Sequence, residues 1–193
     1  GSVPEGASTE ADRLDPSSPY SASKAGSDLI ALSYYSTYGL PVLVTRSSNN
    51  FGPWQYPEKV IPLFVTNLLD GQAVPLYGDG MNVRDWCYVT DNCAAIDLVL
   101  RTGEPGSIYN IGGGNELTNT ELTDRLLVLL GADRTVVEPV ADRLGHDRRY
   151  CVDSSRVRAL GWTPLRQLDE ALGATVSWYQ ENRWWCEPLK GRT

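Results

Sequence analysis

At 193 residues, with 41% hydrophobic and 21% charged residues, the chain has the makeup of an ordinary globular protein of one large domain, or one domain with an appendage. A formal net charge of −7 argues against a nucleic-acid partner, although a small phosphorylated ligand needs only a local basic pocket. No apolar run approaches the ~20 residues that span a bilayer, and the start, Gly1-Ser2-Val3-Pro4-Glu5-Gly6, does not read as a signal peptide.

Residues 1–17 are rich in Gly, Ser, Pro and charge and read as a loop. Ser18 stands where an N-cap belongs and Pro19 suits a first helical turn. Together they predict a helix from Pro19 to Tyr38, with Gly39 as its stop. Ala22, Leu29, Leu32 and Tyr35 form part of one apolar face, and Tyr34 and Tyr38 extend the apolar surface to a second. A helix of that kind is expected to be buried or to lie at a subunit contact.

The apolar run at 41–46 reads as a strand covered on both faces, and a long helix feeding into it is half of a βαβ unit. Residues 47–53 read as a loop at the carboxyl end of that strand, where parallel sheets hold their ligands. A helix Val60–Leu69 follows, closed by Asp70-Gly71. Then come a strand Val74–Tyr77, a turn at Gly78-Asp79-Gly80 and an alternating strand over 83–89.

Thr90-Asp91 start a helix to about Leu100, and the strand at 107–111 is stopped by Gly112-Gly113-Gly114. Thr118-Asn119-Thr120-Glu121 is a capping box, opening a helix that carries Leu122, Leu126, Leu129 and Leu130 and ends at Gly131. Residues 135–140 read as extended, 141–149 as a charged loop, and Asp153-Ser154-Ser155 cap a short helix ending at Gly161. A last amphipathic helix over 168–182 turns Leu172, Val176 and Tyr179 inward. One long buried strand does not complete a sheet, so the early part wants partners that the chain does not supply.

Tyr20 and Lys24 are four apart, so they project from one face of the first helix, a turn apart. A phenol with its ordinary pKa of roughly 10 is a poor base at neutrality, and an ammonium held beside it favours the phenolate. The pair is a candidate proton-transfer device. Ser21, Ala22, Ser23, Ala25 and Gly26 leave room for a flat ligand to approach the helix. For a bare Tyr-x-x-x-Lys, a helix that merely happens to carry both residues comes first.

A dinucleotide enzyme carries Gly-x-Gly-x-x-Gly between a strand and a helix. Gly112-Gly113-Gly114 departs from that pattern at Leu117 and Gly78-Asp79-Gly80 departs at Val83, so both read as turns. If Tyr20 and Lys24 serve a nicotinamide cofactor, its pyrophosphate site lies outside these 193 residues. The four cysteines, Cys87, Cys93, Cys151 and Cys186, form no Cys-x-x-Cys pair, and His146 is the single histidine. No metal site is expected, and free thiols in a reducing cytoplasm are the simplest account.

Three segments in order carry a resemblance: Tyr20-x-x-x-Lys24, then Arg46-Ser47-Ser48-Asn49-Asn50-Phe51-Gly52-Pro53, then Leu76-Tyr77-Gly78-Asp79-Gly80-x-x-x-Arg84-Asp85-Trp86-x-x-Val89-x-Asp91. With them the chain resembles the extended short-chain dehydrogenase/reductases acting on nucleotide sugars. The likeness covers nearly all of the chain. Pro57-Glu58-Lys59-Val60-Ile61-Pro62-Leu63-Phe64, Asp142-Arg143-x-Gly145-His146-Asp147-x-Arg149-Tyr150 and Trp178-Tyr179-x-x-Asn182-x-Trp184-Trp185 draw it toward the dTDP-glucose 4,6-dehydratases of that family.

The resemblance implies an α/β fold. The chain would hold the carboxyl-terminal part of a Rossmann-like doubly wound parallel sheet, plus a smaller mixed α/β domain that binds a nucleotide sugar. Residues 1–55 would complete the NAD-binding domain and 56–193 would mostly form the second, with a stretch over about 74–106 able to return to the first sheet. In the family the Rossmann glycines, and an Asp and a Glu that act as acid and base for water elimination, precede the position of Gly1. The chain is therefore expected to be a carboxyl-terminal part, inactive alone, with the missing amino-terminal segment as a partner.

The implied reaction is an internal redox elimination with NAD as cofactor and a dTDP-sugar as substrate. Tyr20 would be the base at the C4 hydroxyl, Lys24 would hold it as phenolate and bond the nicotinamide ribose, and Asn50 would sit near the nicotinamide. A side chain that satisfies its own backbone is an equal reading of Asn50. Arg84 and Arg143 would meet the diphosphate. Asn49 and Asn119 would donate to phosphate or base, Lys59 and Val60 would line the diphosphate side, and Pro75, Leu76 and Tyr77 would wall the thymine or ribose. Asp142, Arg143 and His146 would close over the nucleotide.

The resemblance further implies a homodimer in which the Tyr/Lys helix packs on its copy, while thiol usage points to the cytoplasm and charge and hydropathy argue against nucleic acid or a membrane as partner. Burial of that helix against the missing part of the same subunit is the alternative. A related epimerase or decarboxylase, or a non-catalytic binding or dimerisation fragment, stays open at this point.

Overall fold

Ser18 sets where the first helix begins. In the computed structural model of the chain, which describes residues 1–190, its backbone is extended and its hydroxyl accepts the Ser21 N–H at 3.1 Å. That bond satisfies one of the donors that a helix N-terminus leaves open. With Pro19 in the first turn and Gly39 in the left-handed conformation after the last, α1 spans Pro19–Tyr38, as the sequence predicts. Its serines are compatible with the helix because Ser23, Ser27 and Ser33 each donate back to the carbonyl three residues earlier.

On burial the outcome differs. No residue of α1 is buried, and Leu29 and Ile30 are each 63% exposed. The helix is tied at Asp28, whose carboxylate accepts the Arg46 Nε–H at 2.7 Å. The apolar faces expected to be covered are open in this chain, and exposed apolar surface of that kind marks a contact with something else.

After α1 come β1 (Val44–Ser47), β2 (Asn49–Phe51), α2 (Val60–Leu69), β3 (Val74–Tyr77), β4 (Val83–Tyr88), α3 (Val89–Thr102) and β5 (Ile108–Ile111). Then follow β6 (Glu116–Thr118), α4 (Asn119–Leu130), β7 (Val137–Val140), α5 (Ser155–Ala159), α6 (Leu168–Glu181) and α7 (Arg183–Cys186). The strand expected from residue 41 starts only at Val44, because the Val42 N–H is turned onto the Leu40 carbonyl at 2.7 Å. The loop expected at 47–53 contains β2, and the sequence predicts neither β6 nor α7. Each of them is three or four residues long, too short for a period to show.

β1 pairs with β5 in parallel, from Val44↔Ile108 to Ser47↔Ile111, and β3 with β7, from Val74↔Val137 to Tyr77↔Val140. A third sheet has the order β2-β4-β6. The fold is α/β with parallel sheets, as expected. Among the described residues no helix is long and apolar enough to cross a membrane.

The chain divides into two compact units, one made of residues 1–50, 84–116 and 144–165, the other of 51–83, 117–143 and 166–190. The first has a core of Cys87, Ala95, Val99, Tyr109, Ile111, Val157 and Trp162, flanked by Leu43, Leu98 and Leu160. The Trp162 indole N–H donates to the Asp91 carbonyl at 2.9 Å, so the buried ring leaves no open donor.

In the second unit α2, α4 and α6 pack on one another with β3 against α2, burying Ile61, Val65, Leu122, Leu126 and Leu172. The capping box forms as expected: the Thr118 hydroxyl accepts the Glu121 N–H, and the Glu121 carboxylate accepts the Thr118 N–H. Trp54 has a left-handed backbone, φ 66°, which costs a non-glycine residue about 1–2 kcal/mol. Its ring is held by those of Trp178, Trp185 and Trp184 at centroid distances of 4.9, 5.5 and 6.2 Å.

All four cysteines are free thiols. Burial, chiefly, pushes Cys87 up to about 12 and raises Cys186 as well, while Cys93 is exposed. In the native protein a thiol reagent at neutral pH is therefore expected to modify Cys93 first, with Cys87 and Cys186 reacting only after denaturant is added. Rapid native modification of Cys87, located by peptide mass, would contradict this burial.

Candidate active site

Tyr20 sits in the first turn of α1 and is 74% exposed. It lines a cavity of about 440 Å³ in the first unit, together with Asp12, Arg46, Asn49, Asn110 and Tyr150. Lys24, one turn on, is exposed on the same face. The ridge expected to do chemistry is thus open, and its phenol faces a space that a ligand could fill.

Two more residues of that wall belong to the stretch 47–50. Asn49 lines the cavity from β2, and the Ser48 hydroxyl is buried there with no hydrogen-bond partner. Asn50, also in β2, turns its amide N–H to the Ser48 carbonyl at 3.4 Å, a contact with its own neighbouring backbone.

Arg84 is buried in β4, 7% exposed. It donates from Nη2 to the Asp147 carbonyl at 2.7 Å, and its guanidinium carbon lies 4.3 Å from the centroid of the Tyr150 ring. The guanidinium expected to meet a diphosphate therefore also holds the loop 144–150, which carries the half-buried His146.

Asp147 and Tyr150 fall in the motif from Asp142 to Tyr150, and the resemblance implies no role for either. The Tyr150 hydroxyl donates to Asp147 Oδ2 at 2.5 Å, and the Ser17 hydroxyl donates to the same oxygen at 2.9 Å. Burial pushes the Tyr150 phenol up to about 12, and the bond to Asp147 adds to the shift; Tyr20 contributes a smaller push in the same direction.

Arg149 grips Glu116 with two bonds, of 2.7 and 2.9 Å, and donates to the Val3 and Gly6 carbonyls at 3.0 and 2.8 Å. That guanidinium, above all, holds the Glu116 carboxyl below the usual range. Ser8 forms a parallel bridge with Val152 and the Val3 N–H donates to the Arg149 carbonyl, so Val3 and Ser8 lie along the segment that ends the 144–150 loop.

The second unit gathers another group of the expected residues. Tyr77 ends β3, and the Arg143 guanidinium carbon lies 4.5 Å from its ring centroid. Asp142 sits against Gly78, where an added Cβ would come within 3.0 Å of its carboxyl carbon. Pro75 and Leu76 are half-buried in β3. Asn119, first residue of α4, donates its backbone N–H to the Asn82 carbonyl at 3.0 Å. Val60 begins α2 half-buried, and Lys59 before it is exposed, its ammonium 2.7 Å from the Glu58 carboxylate.

The family model described as GDP-mannose 4,6 dehydratase matches residues 1–175. A dTDP-glucose 4,6-dehydratase of Streptomyces antibioticus is 58% identical over 193 residues, which is 100% of this chain and 58% of that relative. The crystal structure of DesIV, a dTDP-glucose 4,6-dehydratase of Streptomyces venezuelae with NAD bound, aligns with a TM-score of 0.97 at 58% identity, covering 98% of this chain and 59% of its own. A UDP-glucose 4-epimerase of Thermus thermophilus in complex with NAD aligns with a TM-score of 0.88 at 33% identity, covering 94% of this chain and 60% of its own. The chain spans only part of the length of each of these relatives.

Proposed function

The chain belongs to the family described as GDP-mannose 4,6 dehydratase, and from that premise we propose that it is part of an NAD-dependent dTDP-glucose 4,6-dehydratase. This lyase would convert dTDP-glucose to dTDP-4-keto-6-deoxyglucose in deoxysugar synthesis. The observation that carries the reading is Tyr20 on a cavity wall, with Lys24 exposed one turn on, in a chain 58% identical over its whole length to a dTDP-glucose 4,6-dehydratase.

The residues fit a nicotinamide cofactor: an exposed phenol, the small side chains of the first turns of α1, and a buried Ser48 hydroxyl without a partner on the same wall. When bound, NAD would supply the two-electron chemistry, as acceptor of the hydride from sugar C4 and as its source for C6. Tyr20 takes the proton from the C4 hydroxyl. Lys24 would hold the phenolate and bond the nicotinamide ribose, and Asn50 would serve on the nicotinamide side. The C4 ketone acidifies C5–H, water is lost across C5 and C6, and a proton is returned to C5 as hydride reaches C6. The acid and base of that loss, and the glycine loop for the pyrophosphate, come from polypeptide outside these residues.

For the nucleotide, Arg84 and Asn49 serve in the first unit, with His146 from the 144–150 loop. In the second, Arg143 and Asn119 donate to phosphate or base, Lys59 and Val60 line the diphosphate side, Pro75, Leu76 and Tyr77 wall the nucleoside, and Asp142 closes over it. The first unit serves as the remainder of the dinucleotide-binding domain and the second as most of the nucleotide-sugar domain. The open face of α1 is covered by its copy in a homodimer, and the free thiols accord with a cytoplasmic location.

The test is an assay of the complete protein with dTDP-glucose and NAD. The expected product is the 4-keto-6-deoxy sugar nucleotide, read by its absorbance in alkali, and the 193-residue chain alone is expected to form none. A C4 epimer as the product would replace this reading with that of an epimerase. Keto product from the chain alone would show that no further polypeptide is required.

A further inference from the structure

One carboxylate oxygen joins two segments that lie far apart in the sequence. Asp147 Oδ2 accepts from Ser17, next to the N-cap of α1, and from Tyr150, on the cavity wall. Asp147 is itself 8% exposed, and its carbonyl accepts from the buried Arg84. The two segments approach closely beside it: a Cβ at Gly145 would come 3.1 Å from the Ser17 carbonyl oxygen. Three residues beyond Ser17 is Tyr20, which lines the same cavity as Tyr150.

We propose that Asp147 is a positioning residue of the active site, which fixes the first turn of α1 against the 144–150 loop and so sets Tyr20 in place. The inference rests on Tyr20 being the base. Ser17 and Tyr150 each supply a hydroxyl to one buried acceptor, so losing either lets the first turn shift while the rest of α1 stays tied at Asp28. A displacement of about 1 Å in a catalytic group lowers turnover by up to roughly 10²-fold.

The test uses Ser17→Ala, Tyr150→Phe and Asp147→Ala in the complete enzyme, with Tyr20→Phe run beside them. Asp147→Ala is expected to lower kcat roughly 10- to 100-fold, with KM for the sugar nucleotide changed by no more than about 2-fold. Ser17→Ala and Tyr150→Phe are each expected to give part of that loss with Tm lowered by no more than a few degrees. Adding Tyr150→Phe to Asp147→Ala should cost nothing further, since its partner is already gone.

Wild-type kcat in both Ser17→Ala and Tyr150→Phe, with Tyr20→Phe inactive, overturns the positioning role alone. A fully active Tyr20→Phe overturns the reading beneath it. Because the two hydroxyl deletions remove no packed volume beyond one oxygen, they decide the matter even where Asp147→Ala fails to fold.

Discussion

Tyr20→Phe in the complete enzyme is expected to lower kcat by roughly 10²- to 10⁴-fold, the range that a positioned general base contributes. Stability and nucleotide binding should be left as they are. The substitution removes one oxygen from a side chain that is 74% exposed, so no core contact is lost. Helix α1 keeps its Ser18 cap and its Asp28–Arg46 tie. The residues proposed for the nucleotide are untouched.

Two phenols border the cavity, and physical chemistry separates them. Tyr150 is pushed up to about 12, and its hydroxyl donates to Asp147, so giving up that proton is doubly disfavoured. Tyr20 is the one with a lysine a turn away on its own helix. Turnover and calorimetric binding of dTDP, measured on the same Tyr20→Phe preparation, check the expectation. Undiminished turnover, or turnover lost only because binding is lost, would assign the proton transfer elsewhere.

How much of this was legible in the sequence depends on the distance over which each feature is decided. The ends of α1 and α4 were legible because Ser18, Gly39, Thr118 and Glu121 act on backbone groups three or four residues away. The exposure of α1 was not, since an apolar helix face records that something covers it and not which chain supplies the cover. The same limit applies to Asp147, whose Ser17 partner is 130 residues away and has no local signature. Arg84 could be picked out through the resemblance, but its ring partner, Tyr150, follows a loop that composition describes only as charged. Trp54 shows the reverse: a bulky residue in a strained backbone conformation contradicts local preference, and the aromatic cluster that holds it comes mostly from the chain's far end.

The glycine run after β5 gives the second large expectation, because Gly113 and Gly114 are there for different reasons. A Cβ at Gly113 would stand 2.0 Å from the Trp86 carbonyl oxygen, 2.7 Å from its carbon and 2.9 Å from the Cys87 Cα. All three are backbone atoms of β4, so no flexible side chain can move aside. Nor can β4 yield cheaply. The Trp86 N–H donates to the Asn115 carbonyl at 3.1 Å, the Asn115 N–H donates to Asp85 Oδ1 at 2.6 Å, and Cys87 is in the core.

Gly113→Ala is therefore expected to cost at least the ~3 kcal/mol at the top of the overpacking range, enough to remove much of the stability of an ordinary domain. Gly114 differs: the nearest atom to its Cβ is a side-chain nitrogen at 3.9 Å, but its φ is +73°. Gly114→Ala should cost only the left-handed penalty of about 1–2 kcal/mol. Denaturant unfolding midpoints of the two variants in the complete protein decide the order. A Gly113→Ala protein no less stable than Gly114→Ala would mean that β4 can move away from this turn. A Gly113→Ala protein that folds normally but binds NAD poorly would give the run the phosphate-cradling role that its spacing argues against.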